Sequence, residues 1–124
     1  MGFFDFLKHS DINRQLEEYD TVPEAILLDV RTPREYSEGH IPCSENIPLQ
    51  NIEGIRHVAG RKDTPLFIYC HSGARSSEAA SALREMGYTR VRNIGGICSY
   101  LGKIERGSER RECRRGACRL TSGA

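Results

Sequence analysis

Hydrophobic positions in the first part of the chain follow a helical and then a strand-like pattern. Apolar side chains recur every three or four residues from Ile12 to Tyr19, behind a candidate N-cap at Ser10 or Asp11. This spacing predicts a short amphipathic helix. The run Ala25–Val30 is apolar apart from one aspartate, which is typical of a strand buried on both faces of a parallel sheet.

The segment after this strand carries the signals of a short helix. Thr32 is placed to be its N-cap, Pro33 its first residue and Glu35 the partner of Thr32 in a capping box. Gly39 should end the helix. A short extended piece is then expected around residues 44–47, because prolines bracket it.

The second half of the chain repeats the alternation of helix and strand. Apolar residues between positions 52 and 59 predict a small helix, and Leu66–Cys70 is a second apolar run that predicts a buried strand. A further helix should begin near Arg75 and end at Gly87. Residues 91–94 supply another strand. Alternating helices and strands predict an α/β fold with a central, mainly parallel sheet.

Past the last predicted strand the pattern weakens. Gly95 and Gly96 predict a turn, and residues 97–104 a final helix. From Gly107 onward the sequence is rich in Gly, Ser and Arg without an apolar period. We therefore expect one domain over residues 1–106 and a basic, flexible tail over residues 107–124.

Composition places the chain among ordinary globular proteins. It has 124 residues, of which 38% are hydrophobic and 28% charged, enough for one hydrophobic core. The apolar run at the N-terminus is short for a secretory signal, and position 6 is Phe where myristoylation requires Ser or Thr. Since no apolar run is long enough to span a membrane, we expect a cytoplasmic protein without a membrane partner.

Charge is distributed unevenly. The chain carries a net charge of +1, but residues 103–124 alone carry +4 and the remainder −3. The basic segment could fold back on the acidic body, dock on an acidic protein partner or remain a solvated end. We expect no nucleic-acid partner.

The five cysteines do not form the regular pattern of a disulfide-stapled secreted module. Their number is odd, so at least one thiol is expected to stay free. The two cysteines of CRRGAC, which have four residues between them, have no second pair of metal ligands after them, so we expect no metal site. The cysteines are Cys43, Cys70, Cys98, Cys113 and Cys118.

The candidate chemistry lies in the segment CHSGARS. Cys70 falls where a predicted strand ends and a helix begins, and ligands of parallel sheets bind at that edge. Gly73 permits a sharp turn in which successive backbone N–H groups point inward. These amides, the helix dipole and Arg75 would all favour a thiolate. A thiolate attacks sulfane sulfur, and the same amides would hold the resulting persulfide. Alternatively, Cys70 is a buried thiol of the hydrophobic core without a chemical role.

Three segments together resemble rhodanese-like sulfurtransferase domains over about residues 10–105. LLDVRTPREYSEGHIP followed by SENIP resembles the family's N-terminal signature, YCHSGARS its active-site loop and NIGGICSYLGKI its C-terminal signature. The resemblance implies a parallel sheet flanked by helices on both faces, sulfur transfer from a small-molecule donor to a thiol or cyanide-like acceptor, and no metal or organic cofactor. A protein sulfur acceptor is also possible.

The resemblance also implies roles for individual residues of the loop. Cys70 would be the catalytic cysteine, and Arg75 would orient an anionic donor. Backbone amides of the loop would bind the anionic sulfur. They belong to His71, Ser72, Gly73, Ala74 and Ser76.

Other matched residues are expected to support the structure. Asp29 and Arg31 would hold neighbouring loops through charged hydrogen bonds, and His40 would be a structural hydrogen-bonding residue. The chain departs from the family pattern at Cys43, where Gly is usual, and at Tyr100, where Trp is common. Passive packing is the expected role of Cys43 and of the other extra thiol in the matched segments, at position 98.

Two other readings use the same cysteine. Cysteine phosphatases and arsenate reductases also bind an oxyanion around a cysteine at a helix start, but their loops usually place five residues between Cys and Arg. Here four intervene, His71 to Ala74, so the ring of amides should suit a single terminal sulfur better than phosphate. A sulfur carrier or sulfide-sensing module without efficient turnover is the non-enzymatic alternative.

Overall fold

The structure is a computed structural model and describes residues 11–107. It contains a four-stranded, entirely parallel sheet in the order β2-β1-β3-β4. The α/β class predicted from the sequence is confirmed. The strands are β1 (Ile26–Asp29), β2 (Glu45–Asn46), β3 (Leu66–Cys70) and β4 (Val91–Gly96); the α-helices are α1 (Ile12–Thr21), α2 (Pro33–Glu38) and α3 (Ala74–Glu85).

Both faces of the sheet are covered, which is why the central strands β1 and β3 are mostly apolar, with Asp29 at the end of β1. Strand β3 is buried at all five positions. On one face α3 and the 3₁₀ segment Leu49–His57 pack against Leu28, Leu66 and Ile68. On the other face α1 packs on Phe67, whose ring meets the ring of Tyr19 edge-on with 5.5 Å between centroids. Burying aromatic and aliphatic side chains on both faces stabilises the layered fold.

The predicted starts of the first two helices are confirmed in detail. Asp11 caps α1 by accepting a hydrogen bond from the N–H of Asn13. Thr32 and Glu35 form the expected reciprocal capping box at the start of α2, with Pro33 in the first turn and Gly39 at the end. These contacts connect residues close in sequence, which explains why the sequence predicts them.

The C-terminal part of the domain differs from the prediction. Gly95 and Gly96 do not form a turn but continue β4, which has a bulge because Asn93 pairs with Ile68 and Gly95 with Tyr69. A 3₁₀ turn at Ile97–Ser99 replaces the predicted helix over residues 97–104.

The chain beyond that turn is held by tertiary hydrogen bonds instead of helical ones. Glu105 pairs with His40 through two backbone hydrogen bonds of 2.8 Å, and the N–H of Gly107 donates to the carbonyl of Ser37. These bonds provide partners for the backbone, so a helix is not needed there.

The small helix expected over residues 52–59 is the 3₁₀ segment Leu49–His57, which contains a kink at Asn51. Within residues 11–107, the helices are too short or too polar to cross a membrane. The predicted flexible tail begins at Gly107, and the rest of it, residues 108–124, lies outside the described residues.

Candidate active site

Cys70 lies at the carboxyl edge of the sheet, at the end of the central strand β3. Gly96 at the end of β4 lies opposite Cys70, and Asp29 at the end of β1 lies opposite Tyr69, the residue before it. Because all strands are parallel, the segments that follow them converge at this edge. Helix α3 begins four residues after Cys70, so the sulfur lies in the turn between a strand and a helix N-terminus.

Hydrogen-bond donors surround the sulfur of Cys70. The N–H of Gly73 donates to Sγ at 3.0 Å, and the hydroxyl oxygen of Ser76 lies 3.5 Å from it. Burial raises the pKa of the thiol, but hydrogen bonds from the Ser76 hydroxyl and from the amides of Ser76, Gly73 and Ser72 lower it by more. The pKa of Cys70 therefore lies below its ordinary value, and the thiolate is favoured although the residue is 1% exposed.

Backbone contacts with β4 fix the shape of the loop. Gly73, the N-cap of α3, has φ of +110°, a left-handed conformation that favours glycine. A Cβ atom on Gly96 would overlap the carbonyl oxygen of His71 and would lie 2.5 Å from Cα of Ser72. The N–H of Cys98 donates to the same His71 carbonyl at 3.1 Å. Gly96 of the C-terminal signature thus leaves the space that the loop occupies.

Arg75 points its guanidinium group at a residue that the sequence analysis did not place in the site. Its Nη1 and Nη2 donate to Oε1 and Oε2 of Glu35 at 2.8 and 3.0 Å, a two-pronged ion pair. This hydrogen bond raises the pKa of Arg75 and lowers that of Glu35 to about 2. Glu35 also accepts from the N–H of Thr32, so the capping box of α2 is joined to the loop.

Ser76 and Asn93 form a second connection that the sequence analysis missed. We predicted that Ser76 would act mainly through its amide, but its buried hydroxyl also lies 2.7 Å from Oδ1 of Asn93. Asn93 Nδ2 donates to the carbonyl of Gly73 at 3.3 Å. The one sequence signal of this connection is a polar Asn in the strand predicted over residues 91–94. His71 and Ala74 line the loop and are exposed.

Asp29 and Arg31 form a buried pair beside the site. Nε and Nη2 of Arg31 donate to the carboxylate of Asp29, the shortest distance being 2.7 Å, and Nη2 also donates to the carbonyl of Gly39 at 2.7 Å. Burial lowers the pKa of Arg31, but its bonds to Asp29 raise it by more. The pair joins the end of β1 to the end of α2.

His40 is completely buried and lies in a separate polar cluster. Its Nδ1 is 2.8 Å from the carbonyl oxygen of Tyr36, its Nε2 is 3.3 Å from a carboxylate oxygen of Glu105, and its ring stacks on that of Tyr36 with 3.7 Å between centroids. Since a carbonyl oxygen only accepts, Nδ1 carries a proton. We call these three residues the His40 corner.

An open cavity of about 430 Å³ lies beside the loop. Arg31, Glu35 and His71 provide polar walls, while Ile97 and Ile104 provide apolar ones. A small anion or the end of a larger acceptor would have room there. Within residues 11–107, no group of three or more potential metal ligands is clustered.

The other described cysteines differ from one another. Cys98 is a free, exposed thiol. Cys43 takes part in a disulfide bond. The prediction that it is a passively packed thiol is therefore wrong. Its φ of +81° is the conformation that favours the glycine usual at this position in the family pattern. Cys113 and Cys118 lie outside the described residues.

Known proteins resemble this chain over most of the described residues. A family model described as a rhodanese-like domain matches residues 9–102. The protein YqhL of Bacillus subtilis (strain 168) is 40% identical over 83 residues, which are 66% of this chain and 65% of YqhL. The thiosulfate sulfurtransferase PspE of Escherichia coli (strain K12) is 39% identical over 71 residues, covering 56% of this chain and 68% of PspE.

A solved structure has the same fold. It is described as a rhodanese with anions from E. coli, is 34% identical in sequence and superposes with a TM-score of 0.63. The match covers 67% of this chain and 99% of that chain. The match therefore includes almost all of that solved structure.

Proposed function

Because the chain belongs to the rhodanese-like domain family, we propose that it moves sulfane sulfur from a donor such as thiosulfate to a thiophilic acceptor through a persulfide on Cys70. One observation carries the proposal: donors from Gly73 and Ser76 converge on a single sulfur atom at a strand end. The name of PspE, thiosulfate sulfurtransferase, supports the same chemistry.

The first half-reaction loads the enzyme. The Cys70 thiolate attacks the outer sulfur of thiosulfate, a new S–S bond forms, and the bond between the two sulfurs of thiosulfate breaks with its electron pair on the departing sulfite. The product is an anionic persulfide, so the total charge is conserved. Backbone amides that stabilise the thiolate would also stabilise this anion at little reorganisation cost.

The second half-reaction removes the outer sulfur from the Cys70 persulfide. A cyanide ion or an acceptor thiolate attacks the outer sulfur, which leaves Cys70 as a thiolate again. The low pKa of Cys70 favours this step, because a weakly basic thiolate is a good leaving group. One residue thus serves as nucleophile and as leaving group.

Arg75 has the charge for an anionic donor and is held by Glu35. Nη1 and Nη2 of Arg75 each donate one hydrogen bond to Glu35. The other N–H groups of the guanidinium, which include Nε–H, are not used in this ion pair. We assign these remaining donors to thiosulfate. The amides of Ser72, Gly73 and Ser76 would bind the sulfur anion.

The test is mass spectrometry of the protein after treatment with thiosulfate. One added sulfur on Cys70 is expected in the wild type and in the matched control Cys98→Ser, and none in Cys70→Ser. Retained transfer in Cys70→Ser would overturn the proposal.

The same experiment separates the enzyme from a carrier. Multiple turnover with thiosulfate and cyanide is expected for a sulfurtransferase. Stoichiometric loading of Cys70 without such turnover would instead identify a sulfur carrier that needs a protein acceptor.

A further inference from the structure

The hydroxyl of Ser76 has one proton and several acceptors in reach. Its oxygen lies 2.7 Å from Oδ1 of Asn93, 3.1 Å from the carbonyl oxygen of Gly73 and 3.5 Å from Sγ of Cys70. Ser76 is fully buried, so water does not compete for this proton. Because a hydroxyl donates a single hydrogen bond, a change at any of these acceptors redirects the proton among the others.

Asn93 binds this hydroxyl and two backbone groups beside it. Its Oδ1 accepts from the N–H of Gly95 at 3.0 Å as well as from Ser76, and its Nδ2 donates to the carbonyl of Gly73 at 3.3 Å. The bulge in β4 begins at Asn93, and such bulges re-aim side chains near functional sites. A single amide thus joins the strand, the N-cap of α3 and the first turn of that helix.

The charge on Sγ changes during sulfur transfer. In the persulfide the negative charge is carried on the outer sulfur, so Sγ is a weak acceptor and the Ser76 hydroxyl is best directed at Asn93. When the acceptor removes the outer sulfur, Sγ becomes an anion and the better acceptor. Rotation about one C–O bond is enough to redirect the proton, and no proton is transferred.

We infer that Asn93 is a positioning residue for Cys70, which holds the Ser76 hydroxyl and Gly73 so that the hydroxyl can turn to Sγ when the thiolate is released. The inference rests on the proposed function and adds a residue to it. Without Asn93 the Gly73 carbonyl loses the bond from Asn93 Nδ2, keeps the one from the N–H of Ser77, and becomes the nearest acceptor for Ser76. Because the bond to Asn93 that fixes the Ser76 oxygen is also lost, the hydroxyl is free to rotate away from Sγ toward the carbonyls of Gly73 and Gly95.

The experiment measures the pH profile of alkylation of Cys70 by iodoacetamide, in a background in which Cys98 is replaced by Ser. Asn93→Ala and Ser76→Ala should each raise the midpoint of the profile, with about tenfold less thiolate at neutral pH. The double variant should equal Ser76→Ala, because Asn93 acts through Ser76. Discharge of a preformed persulfide to cyanide should slow in the same variants.

Asn93→Asp keeps the shape of the side chain and provides a second variant to measure if Asn93→Ala does not fold. It retains an acceptor for Ser76 and Gly95 but replaces the donor to Gly73 with a negative charge. The midpoint should rise at least as far as in Asn93→Ala.

Asn13 supplies the matched control. It also joins two backbone groups, the carbonyl of Ser99 at 3.0 Å and the N–H of Leu101 at 2.8 Å, but these do not belong to the Cys70 loop. Asn13→Ala should leave the midpoint unchanged. If Asn93→Ala changes only stability, as this control does, or if it lowers the midpoint, the inference is wrong. Alkylation does not require sulfur transfer, so absence of persulfide in the wild type would refute the proposed function separately.

Discussion

The loop around Cys70 and the His40 corner both place a titratable side chain next to backbone polar groups. In the His40 corner each ring nitrogen has its own partner, the carbonyl of Tyr36 and the carboxylate of Glu105. In the Cys70 loop several donors converge on one sulfur, and Ser76 has more acceptors than protons.

This difference separates a structural cluster from a reactive one. When every donor in a buried cluster already has its acceptor, one arrangement is stabilised and no donor is left to stabilise a new charge. A surplus of donors around a single atom stabilises charge that appears there. Burial does not distinguish them, since Cys70 and His40 are 1% and 0% exposed.

The largest effect should come from Gly96, where the loop meets β4. In Gly96→Ala the new Cβ would overlap the backbone of His71 and Ser72, so the loop must move and persulfide loading of Cys70 should be lost. Mass spectrometry after thiosulfate treatment measures this. Gly60→Ala is the control, because a Cβ there meets nothing within 4 Å. Normal loading in a folded Gly96→Ala protein would show that the loop geometry is not needed.

The His40 corner should affect stability without affecting the chemistry. His40→Ala removes a buried ring, its stacking on Tyr36 and two hydrogen bonds, which should lower the free energy of unfolding by about 2–4 kcal/mol. Urea denaturation measures the loss, with the exposed His57→Ala as control. Loading of Cys70 per folded molecule should not change. A specific loss of loading would place His40 in the reaction.

Arg75→Ala should affect one half-reaction more than the other. Losing a charged hydrogen bond to the donor costs ~1.5–3 kcal/mol, so loading by thiosulfate should slow by about 10- to 100-fold. Attack of cyanide on preformed persulfide should slow less. Arg75→Lys should recover only part of the rate, because it lacks the planar fork. Arg84→Ala, at the exposed end of the same helix, is the control. Equal slowing of both half-reactions would mean that Arg75 only holds the loop.

The smallest effect is expected from Glu35 and depends on pH. The pKa of Glu35 is lowered from 4.5 to about 2, so the unfolded chain binds the proton more readily. Its stabilising contribution is complete above pH 4.5 and is lost as the pH falls toward 2. Glu35→Gln should therefore be less stable near neutral pH by about 1 kcal/mol, since solvent screens the partly exposed pair. The difference should shrink in acid.

Denaturation of both proteins between pH 2 and pH 6 tests the Glu35 prediction. Glu38→Gln, whose side chain is 65% exposed and paired with Arg34, should show no such pH-dependent difference. A constant difference between wild type and Glu35→Gln across this range would exclude the ion pair as its cause.

The local structure of this protein follows from its sequence. The strand Leu66–Cys70, the capping box of Thr32 and Glu35, and the place of Cys70 between strand and helix were all predictable. Each depends on hydrophobic periodicity or on hydrogen bonds between residues a few positions apart, so a short stretch of sequence contains the whole signal. The parallel sheet follows from the order of these elements.

Tertiary structure decided which residues complete the site. Glu35 meets Arg75 across 40 positions and Asn93 meets Ser76 across 17, and neither pairing has a local signal. The strand order β2-β1-β3-β4 brings them to one edge. It also extends Gly95 and Gly96 into β4, because hydrogen bonds with β3 outweigh the turn preference of glycine. Likewise, pairing of Glu105 with His40 replaces the predicted last helix, since backbone groups take whichever partners the packed chain provides.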